Sequence, residues 1–182
     1  MGGGAGRMGG GGRDGAGAGG STIPATMTLT SPVLMEGGMF PSNITCADAA
    51  MGSPELDWTP GPAGTMSYAV ELSDLTNGYA HWVLWDIPVP SGDPAMITLK
   101  AKLATTATLT DPAGAKQIAL QGTGYTGPCP SGTEHTYQFS VYAMPTATLS
   151  GNTSSSTMAR ATVRAAAIAT GTLKGTSNAR RP

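Results

Sequence analysis

Charged residues are scarce in this chain and unevenly placed. Asp, Glu, Lys and Arg make up only 12% of the 182 residues, about half of the usual quarter. From Ser21 to Ser150 there is no arginine, and three lysines stand against ten acidic residues, which leaves a net charge of −7. A nucleic-acid-binding protein needs a basic face to neutralise phosphates. The composition therefore argues against a nucleic-acid partner.

Long apolar runs are also missing. No segment has enough consecutive apolar residues to cross a bilayer, and the first residues lack the apolar core of a signal peptide. The chain has two cysteines, Cys46 and Cys129, and neither lies in a CxxC or CxxH pattern of a metal site. We therefore expect no transmembrane segment, no metal and no cofactor.

The first 22 residues are dominated by glycine, with 12 glycines among the first 20 residues. Such a segment buries no apolar surface, so residues 1–22 are predicted to form a flexible tether. A nucleotide-binding glycine loop would need a strand before it and a helix after it, and both are missing here. Bacterial lipoproteins often carry a similar tether after their anchoring cysteine. We therefore favour an exported protein, either periplasmic or lipid-tethered with its signal missing from this sequence. An ordinary disordered tail on a cytoplasmic protein is the alternative.

The remaining sequence is typical of a β-rich domain. Alternation of apolar and polar residues predicts strands at four segments: Ala25–Ser31, Ser67–Asp74, His81–Pro88 and Thr136–Met144. Weaker signals mark strands near 97–99 and 117–120, and a last strand within Ile168–Gly175. Pro/Gly-rich loops separate these segments, and one helix is predicted within Asn152–Ala167. Together they predict a mostly antiparallel β-sandwich over residues 23–176, followed by a disordered tail at 177–182.

Two patterns predict which faces are buried. In the helix, apolar residues recur at helical spacing, with Arg160 and Arg164 on another face; the apolar residues are Met158, Ala161, Ala165 and Ile168. In the strand that starts at His81, successive side chains are predicted to point to opposite faces, with imperfect apolar alternation on both, as expected for a strand covered on two sides. These are Trp82, Leu84 and Asp86 on one face, and His81, Val83, Trp85 and Ile87 on the other.

The two histidines, His81 and His135, both stand where a loop enters a strand. Binding residues concentrate at such positions. If the strands from Ser67 and His81 form a hairpin, Asp74 and His81 lie at the same end, where a carboxylate favours the charged imidazolium. With the hydroxyls of Tyr79 and Tyr137 nearby, the histidines would form an anion pocket. The alternative is that each histidine is an ordinary residue at the edge of the sheet.

The same segments resemble the phosphatidylethanolamine-binding protein family, and its bacterial Raf-kinase-inhibitor-like branch most closely. The resemblance rests on four stretches in order: "SPELDW" (53–58), "PAGTMSYAVELSD" (62–74), "HWVLWDIP" (81–88) and "GYTGPCPSGTEHTYQFSVYAM" (124–144). It implies a large antiparallel sheet packed on a smaller one, with a C-terminal helix beside a small pocket. In the family this pocket holds phosphate or a similar anion, such as a phospholipid head group.

The resemblance also assigns residues to the pocket. It implies one aspartate, two histidines, two aromatic residues and a loop wall: Asp74, His81, His135, Tyr79, Tyr137, Gly127 and Pro128. The family's "DPDAP" loop is replaced here by "DLTNG" (74–78), so we expect a more open and less acidic rim. Because Cys46 and Cys129 fall in loops that the family places near the pocket, we also predict a disulfide between them, which suits an exported protein.

These observations lead to one favoured function and two alternatives. The favoured one is a binding or regulatory protein without catalysis, which takes up a small anion or a phospholipid head group. The first alternative is an inhibitor or interaction protein that contacts a kinase or a protease with the pocket rim. The second is a hydrolase that uses the Asp74, His81 and His135 side chains, although no GxSxG nucleophile motif is present. Metal binding by these three residues is less favoured, since a metal requires neutral imidazoles.

Overall fold

The computed structural model describes residues 1–2 and 22–182, so most of the predicted glycine tether at 1–22 lies outside the described residues. The described part contains nine strands, one α-helix and one 3-10 turn at Ser42–Ile44. The strands are β1 (Leu29–Thr30), β2 (Gly38–Met39), β3 (Leu56–Trp58), β4 (Ser67–Asp74), β5 (Ala80–Pro88), β6 (Ile97–Leu99), β7 (Lys116–Ala119), β8 (His135–Met144) and β9 (Ala169–Ser177). The helix, α1, spans Ser156–Ala166 between β8 and β9.

The strands form two sheets, as the sequence predicted. The smaller sheet has the order β1-β3-β6, and the larger has the order β2-β9-β8-β4-β5-β7. All pairings are antiparallel except the short β2–β9 pair, which is parallel. The fold is therefore a mostly antiparallel two-sheet structure with one short helix.

The main core lies between the two sheets. Trp58 and Leu56 of the smaller sheet belong to the same buried cluster as Tyr68, Leu72 and Phe139 of the larger one. On the other face of the larger sheet, a second cluster packs beneath α1. Both faces of the central strands are thus covered, which explains why all eight residues of β4 are buried.

The first predicted strand is the main difference in strand length. Expected over Ala25–Ser31, it is reduced to two residues in β1. The backbone just before β1 bonds to the other sheet instead, because Met27 donates to the Thr170 carbonyl at 3.2 Å. The chain therefore crosses from the larger sheet to the smaller one within a few residues.

Strand β5 does not keep the two sets of side chains that the sequence predicted for its opposite faces. Asp86 adopts a left-handed backbone with φ of 59°, and the bulge turns Ile87 into the main core with Trp82 and Leu84. The predicted grouping of Ile87 with Val83 and Trp85 was wrong for this reason. The carboxylate of Asp86 is held by the Lys116 ammonium at 3.0 Å and by the Leu149 amide at 2.6 Å.

A second irregularity lies at the start of β5. Ser73 pairs with Ala80 whereas Leu72 pairs with Trp82, so His81 is the extra residue of a bulge. Its ring packs edge-on against the ring of Tyr137, which belongs to the main core, and the two ring centroids are 5.4 Å apart. His81 is therefore not on the face of Val83 and Trp85, which pack beneath the helix.

The helix is where predicted, but it is rotated. Ser155 caps it, since its side-chain oxygen accepts from the Met158 amide at 3.2 Å. The buried residues are Ser156, Ala159 and Val163, whereas Met158 is 45% exposed. The predicted apolar face of Met158, Ala161, Ala165 and Ile168 was therefore wrong. The helix instead turns Arg164 toward a buried carboxylate of β4.

Strand β9 extends to Ser177, one residue beyond 176, the predicted end of the folded domain. Ser177 is buried and pairs with His135 at the start of β8. Beyond it, the Ala179 amide donates to the Ser177 hydroxyl at 3.1 Å. Within the described residues, no helix is both long and apolar enough to cross a membrane.

Candidate functional site

One end of the larger sheet gathers most of the predicted site residues. The hairpin of β4 and β5 brings Asp74 and His81 to the same end, as predicted. Strand β8 runs antiparallel to β4 and places Tyr137 directly opposite Asp74. His135 lies two residues earlier, at the start of β8, where it pairs with Ser177 of β9. We call Asp74, His81, His135 and Tyr137 the histidine cluster.

Asp74 accepts most of the hydrogen bonds in the histidine cluster, and it is 1% exposed. Its Oδ1 accepts from the backbone amides of Thr76 at 2.9 Å and Asn77 at 3.3 Å, which closes the β4–β5 turn. Its Oδ2 accepts from Nδ1 of His135 at 2.7 Å. The carboxylate is thus buried but fully engaged, with one oxygen used to shape the turn and the other to orient an imidazole.

The Asp74 carboxylate hydrogen-bonds His135, whereas the sequence had suggested His81 as its neighbour. The His81 ring, which lies at the bulge in β5, hydrogen-bonds the Gly127 carbonyl of the 124–132 loop instead, although the Asp74 charge still acts on it. The bond from Nδ1 of His135 leaves its Nε2 as the ring nitrogen free to meet a ligand.

His81 is 6% exposed, and its Nδ1 donates to the Gly127 carbonyl at 3.2 Å. Burial lowers the pKa of His81 below its ordinary value of 6.5, although the Asp74 charge and the carbonyls of Gly127 and Thr126 act in the opposite direction. The ring is therefore neutral at neutral pH, with Nε2 as an acceptor. The expectation that the nearby carboxylate keeps His81 charged was wrong, because desolvation of the ring outweighs the carboxylate.

Tyr137 lies between the two imidazoles. Its ring meets His81 edge-on at 5.4 Å and stacks on His135 at 6.2 Å between centroids. Its side chain is 0% exposed, and its hydroxyl has no hydrogen-bond partner within the described residues. Burial, the Asp74 charge and the approach of the hydroxyl to the Asp74 carboxylate raise the pKa of Tyr137, although no hydrogen bond of good geometry forms between them. A buried, protonated hydroxyl without a partner costs free energy unless something else accepts its proton.

The loop wall at Gly127 and Pro128 is held by close packing. A side chain at position 127 would collide with the Ile44 carbonyl, since its Cβ would lie 2.2 Å from that oxygen. The Pro128 carbonyl accepts from the Cys46 amide at 3.0 Å. Cys46 and Cys129, the pair suggested by the family resemblance, are joined by a disulfide in this structure. The loop that orients His81 is therefore fixed to the 43–46 segment by packing, a backbone hydrogen bond and a covalent bond.

Tyr79 is the predicted site residue that the structure does not bring into the histidine cluster. Its side chain is 54% exposed and, among the described residues, takes part in none of the cluster's hydrogen bonds or ring contacts, whereas its backbone carbonyl accepts from the Asp74 amide at 2.9 Å. The "DLTNG" turn (74–78) just before it also differs from the family's "DPDAP" loop. Leu75 is 45% exposed, and the Thr76 hydroxyl accepts from the Thr136 amide at 3.0 Å. The turn adds apolar surface rather than a second carboxylate.

A buried ion pair on the opposite face of the sheet escaped the sequence analysis. Glu71 is 0% exposed, and Arg164 of α1 donates to both of its oxygens, from Nη2 at 2.8 Å and from Nε at 3.0 Å. Tyr142 donates to the same carboxylate at 3.0 Å, and the Ser73 hydroxyl also donates to it. Burial and the Glu71 charge raise the pKa of Tyr142 to about 12, so its hydroxyl stays protonated. The available signal was Glu71 inside the otherwise apolar run "AVEL" (69–72).

The described residues hold no group of three or more His, Cys, Asp or Glu side chains arranged for a metal ion. The groups that do converge are two imidazoles, one phenol and one carboxylate. With Nδ1 of each imidazole engaged, the free groups are two Nε2 atoms and the Tyr137 hydroxyl. Chemically, these can donate three hydrogen bonds once both rings are protonated.

The lowered pKa of His81 leads to a prediction about pH. The unfolded ring takes up its proton near 6.5, above the pKa in the folded state, so stability from the neutral ring is complete above pH 6.5 and declines as pH falls through the folded pKa. A bound anion favours the charged ring and should oppose this decline. We expect sulfate, whose charge is constant in this range, to bind more tightly at about pH 5 than at about pH 8.

Thermal unfolding with and without sulfate, measured at each pH, checks this expectation. The control is His81→Gln, in which the pH dependence of sulfate binding should become weaker. A sulfate affinity that is equal at both ends of the pH range would contradict the expectation.

Comparison with known proteins identifies the class. The family model for phosphatidylethanolamine-binding proteins matches residues 30–178. A Mycobacterium tuberculosis protein named "Putative lipoprotein LppC" is 32% identical over 138 residues, which cover 70% of this chain. Only 62% of that relative's length is matched. A "UPF0098 protein" from Methanothermobacter thermautotrophicus is 32% identical over 124 residues, covering 66% of this chain and 78% of the relative.

A solved structure has the same fold. The crystal structure of Escherichia coli YbcL, described as a new member of the mammalian PEBP family, matches with a TM-score of 0.69 and 25% identity. The match covers 84% of this chain and 98% of YbcL. The chain belongs to the phosphatidylethanolamine-binding protein family, as its sequence motifs had indicated. Membership supports a binding or regulatory role.

Proposed function

We propose that the histidine cluster binds a small anion, either inorganic phosphate or the phosphate of a head group. The observation that carries this proposal is the Tyr137 hydroxyl, which is fully buried, unpartnered and flanked by both imidazoles. An anion oxygen would satisfy this hydroxyl and accept from Nε2 of each histidine. Charge-assisted bonds of this kind are about twice as strong as neutral ones.

The other residues act by orienting these donors. The Asp74 carboxylate fixes Nδ1 of His135, and the Gly127 carbonyl fixes Nδ1 of His81. Because both Nδ1 atoms are already engaged, each ring offers only Nε2 to a ligand. The Asp74 charge lies close by and opposes anion binding, so binding should favour the protonated His81 ring.

Thermal stability measured in phosphate tests this proposal. Ligand linkage predicts that phosphate at about ten times its Kd adds roughly 1.4 kcal/mol, which raises the Tm by roughly 3 to 6 °C in a chain of this size. His135→Ala and Tyr137→Phe should each lose most of this shift, whatever their own Tm. Lys100→Ala is the matched control, since in the described part of the chain Lys100 pairs only with the exposed Asp111. No shift in the native chain, relative to chloride at equal ionic strength, would reject the anion site.

We propose that binding occurs without catalysis. A hydrolase needs a nucleophile beside its base, and Ser73, the serine next to Asp74, points its hydroxyl to Glu71 instead. That contact lies on the face beneath the helix, away from the histidines. Turnover of phosphoesters or carboxylic esters that is lost in His81→Ala would overturn this proposal.

A second function, contact with a protein such as a kinase or a protease, is supported by exposed apolar side chains at the rim. Leu75 and Tyr79 belong to the β4–β5 turn, and Leu120 donates its amide to the His81 carbonyl at 2.9 Å. An inhibitor that uses this rim should keep its complex with the target when both histidines are replaced by glutamine. Leu75→Glu with Leu120→Glu should abolish that complex.

Export is supported by the LppC relative's name and by the disulfide, since disulfides persist in oxidising compartments. We therefore propose a periplasmic or lipid-tethered protein. Cell fractionation with thiol alkylation before lysis tests this. Recovery in the cytosol with both cysteines alkylated would contradict it.

A further inference from the structure

A small cavity lies where four segments of the chain meet, and it shares no lining residue with the histidine cluster. Its volume is about 160 Å³, close to the volume of about 150 Å³ of an engineered protein cavity that binds benzene. The apolar part of its wall consists of Pro32, Val33, Ile44 and Pro54. The cavity therefore has room for one small aliphatic group.

Hydrogen bonds hold the walls of this cavity together. The Gly52 amide donates to the Asn43 carbonyl at 3.1 Å. Ser53 is buried, and it accepts from the Lys102 amide at its carbonyl, at 2.8 Å, and from the Leu103 amide at its hydroxyl, at 3.0 Å. These two bonds hold Lys102 in the left-handed backbone region, with φ of 57°, which residues other than glycine rarely adopt. Strained backbone of this kind concentrates at ligand sites, and here it belongs to a residue that lines the cavity.

Three polar side chains line the same cavity, those of Asn43, Glu55 and Lys102. Among the described residues, none of the three side chains has a hydrogen-bond or ion-pair partner. The Glu55 carboxylate and the Lys102 ammonium are therefore more than 4.0 Å apart. A Cβ at position 52 would lie 3.0 Å from Cγ of Lys102, so the aliphatic part of the lysine packs on the cavity wall at Gly52. One apolar cavity thus carries an unpaired charge of each sign.

We propose that this cavity binds a free α-amino acid with a branched aliphatic side chain, such as leucine. The aliphatic side chain packs on the apolar wall. The α-carboxylate accepts from the Lys102 ammonium and the Asn43 amide, and the α-ammonium donates to the Glu55 carboxylate. Small-molecule sites commonly combine an apolar wall with a few polar groups that fix the orientation of the ligand. Because the cavity is separate from the histidine cluster, this inference does not depend on the proposed anion-binding function.

An NMR titration of the full chain with L-leucine tests the proposal, followed at the backbone amides of Gly52, Lys102 and Leu103. L-leucine should bind about tenfold more tightly than L-alanine, because three more carbon atoms leave water. It should bind about threefold more tightly than L-leucinamide, which lacks the carboxylate, and than 4-methylpentanoate, which lacks the ammonium. These last two factors are modest because Lys102 is exposed and Glu55 is half-buried, and ion pairs of exposed groups are weak.

Two variants assign the two charges of the ligand to their partners. Lys102→Gln should abolish the preference for leucine over leucinamide, and Glu55→Gln should abolish the preference for leucine over 4-methylpentanoate. Lys100→Gln is the matched control, because it removes the same charge from a nearby lysine that pairs with Asp111 and does not line the cavity. Both preferences should survive in this control.

Amide signals at the cavity that stay unchanged throughout the leucine titration would overturn the inference, as would preferences that survive Lys102→Gln and Glu55→Gln. A blocked tripeptide with leucine at its centre that binds as tightly as free leucine would also overturn it, since the cavity would then hold a side chain of a partner protein. His135→Ala should leave leucine binding unchanged. Loss of leucine binding in that variant would place leucine at the histidine cluster and contradict the inference.

Discussion

Replacing Cys46 and Cys129 together by serine is expected to lower the free energy of unfolding by about 4 kcal/mol. The two cysteines are 83 residues apart, and the chain-entropy estimate for closing a loop of that length is about 4 to 5 kcal/mol. The expected loss is large because the disulfide restricts nearly half of the unfolded chain.

The same change should weaken the anion site. Without the covalent bond, the 124–132 loop keeps only its packing and backbone contacts to the 43–46 segment, and the Gly127 carbonyl no longer holds His81 as firmly. Chemical denaturation of the native chain with and without reductant measures the stability loss, and phosphate titrations in the same buffers measure the effect on the site.

The double serine variant is the control for other effects of the reductant, because reductant should not change its stability. A native chain whose unfolding free energy changes by less than about 1 kcal/mol on full reduction would contradict the expectation.

Removing Arg164 is expected to cost about 3 to 5 kcal/mol, the range measured when one partner of a buried ion pair is deleted. Arg164 itself is partly exposed, with 41% of its side-chain surface accessible, but Glu71 is completely buried. In Arg164→Met the Glu71 carboxylate keeps only its bonds from Tyr142 and Ser73, and its charge has no counterpart. The cost arises from this unpaired charge rather than from the loss of the arginine.

A double-mutant cycle separates the cost of the unpaired Glu71 charge from the cost of losing the arginine itself. Glu71→Gln with Arg164→Met removes both charges but keeps hydrogen bonds to Tyr142 and Ser73, and it should recover more than half of the loss. Equilibrium unfolding in urea gives each free energy. A cost below about 1 kcal/mol for Arg164→Met, or equal costs for the single and double variants, would show that the pair does not hold the helix on the sheet.

Much of the fold could be predicted because β-strands leave a local signature. The strands β4, β5 and β8 were predicted within one residue of their observed ends, since alternation, flanking turns and aromatic residues all agree there. The helix face could not be predicted from its own sequence. Glu71 lies 93 residues before Arg164, and the requirement to pair this buried carboxylate outweighs the apolar pattern of Met158 and Ala161.

The residues of the candidate site could be predicted, but which histidine hydrogen-bonds to Asp74 could not. Positions at strand ends brought Asp74, His81 and His135 into consideration, and the register places them at one end of the sheet. Which imidazole meets the carboxylate depends on a one-residue bulge at His81, and bulges leave little trace in residue type. The segment 177–182 was predicted to be a disordered tail because the contact of Arg180, the Gly132 carbonyl, belongs to a loop 48 residues away.

The central claim is that both imidazoles and the Tyr137 hydroxyl bind one anion. Because the chain has only two histidines, the imidazole region of its proton–nitrogen NMR spectra contains just two ring systems. Both belong to the histidine cluster, so the spectra report on the site without residue-specific labelling. We predict that adding sulfate near neutral pH shifts both ring systems together and converts His81 from a neutral ring with a proton on Nδ1 to a doubly protonated one. Imidazole signals that stay unchanged throughout the sulfate titration, in a protein that remains folded, would contradict the account.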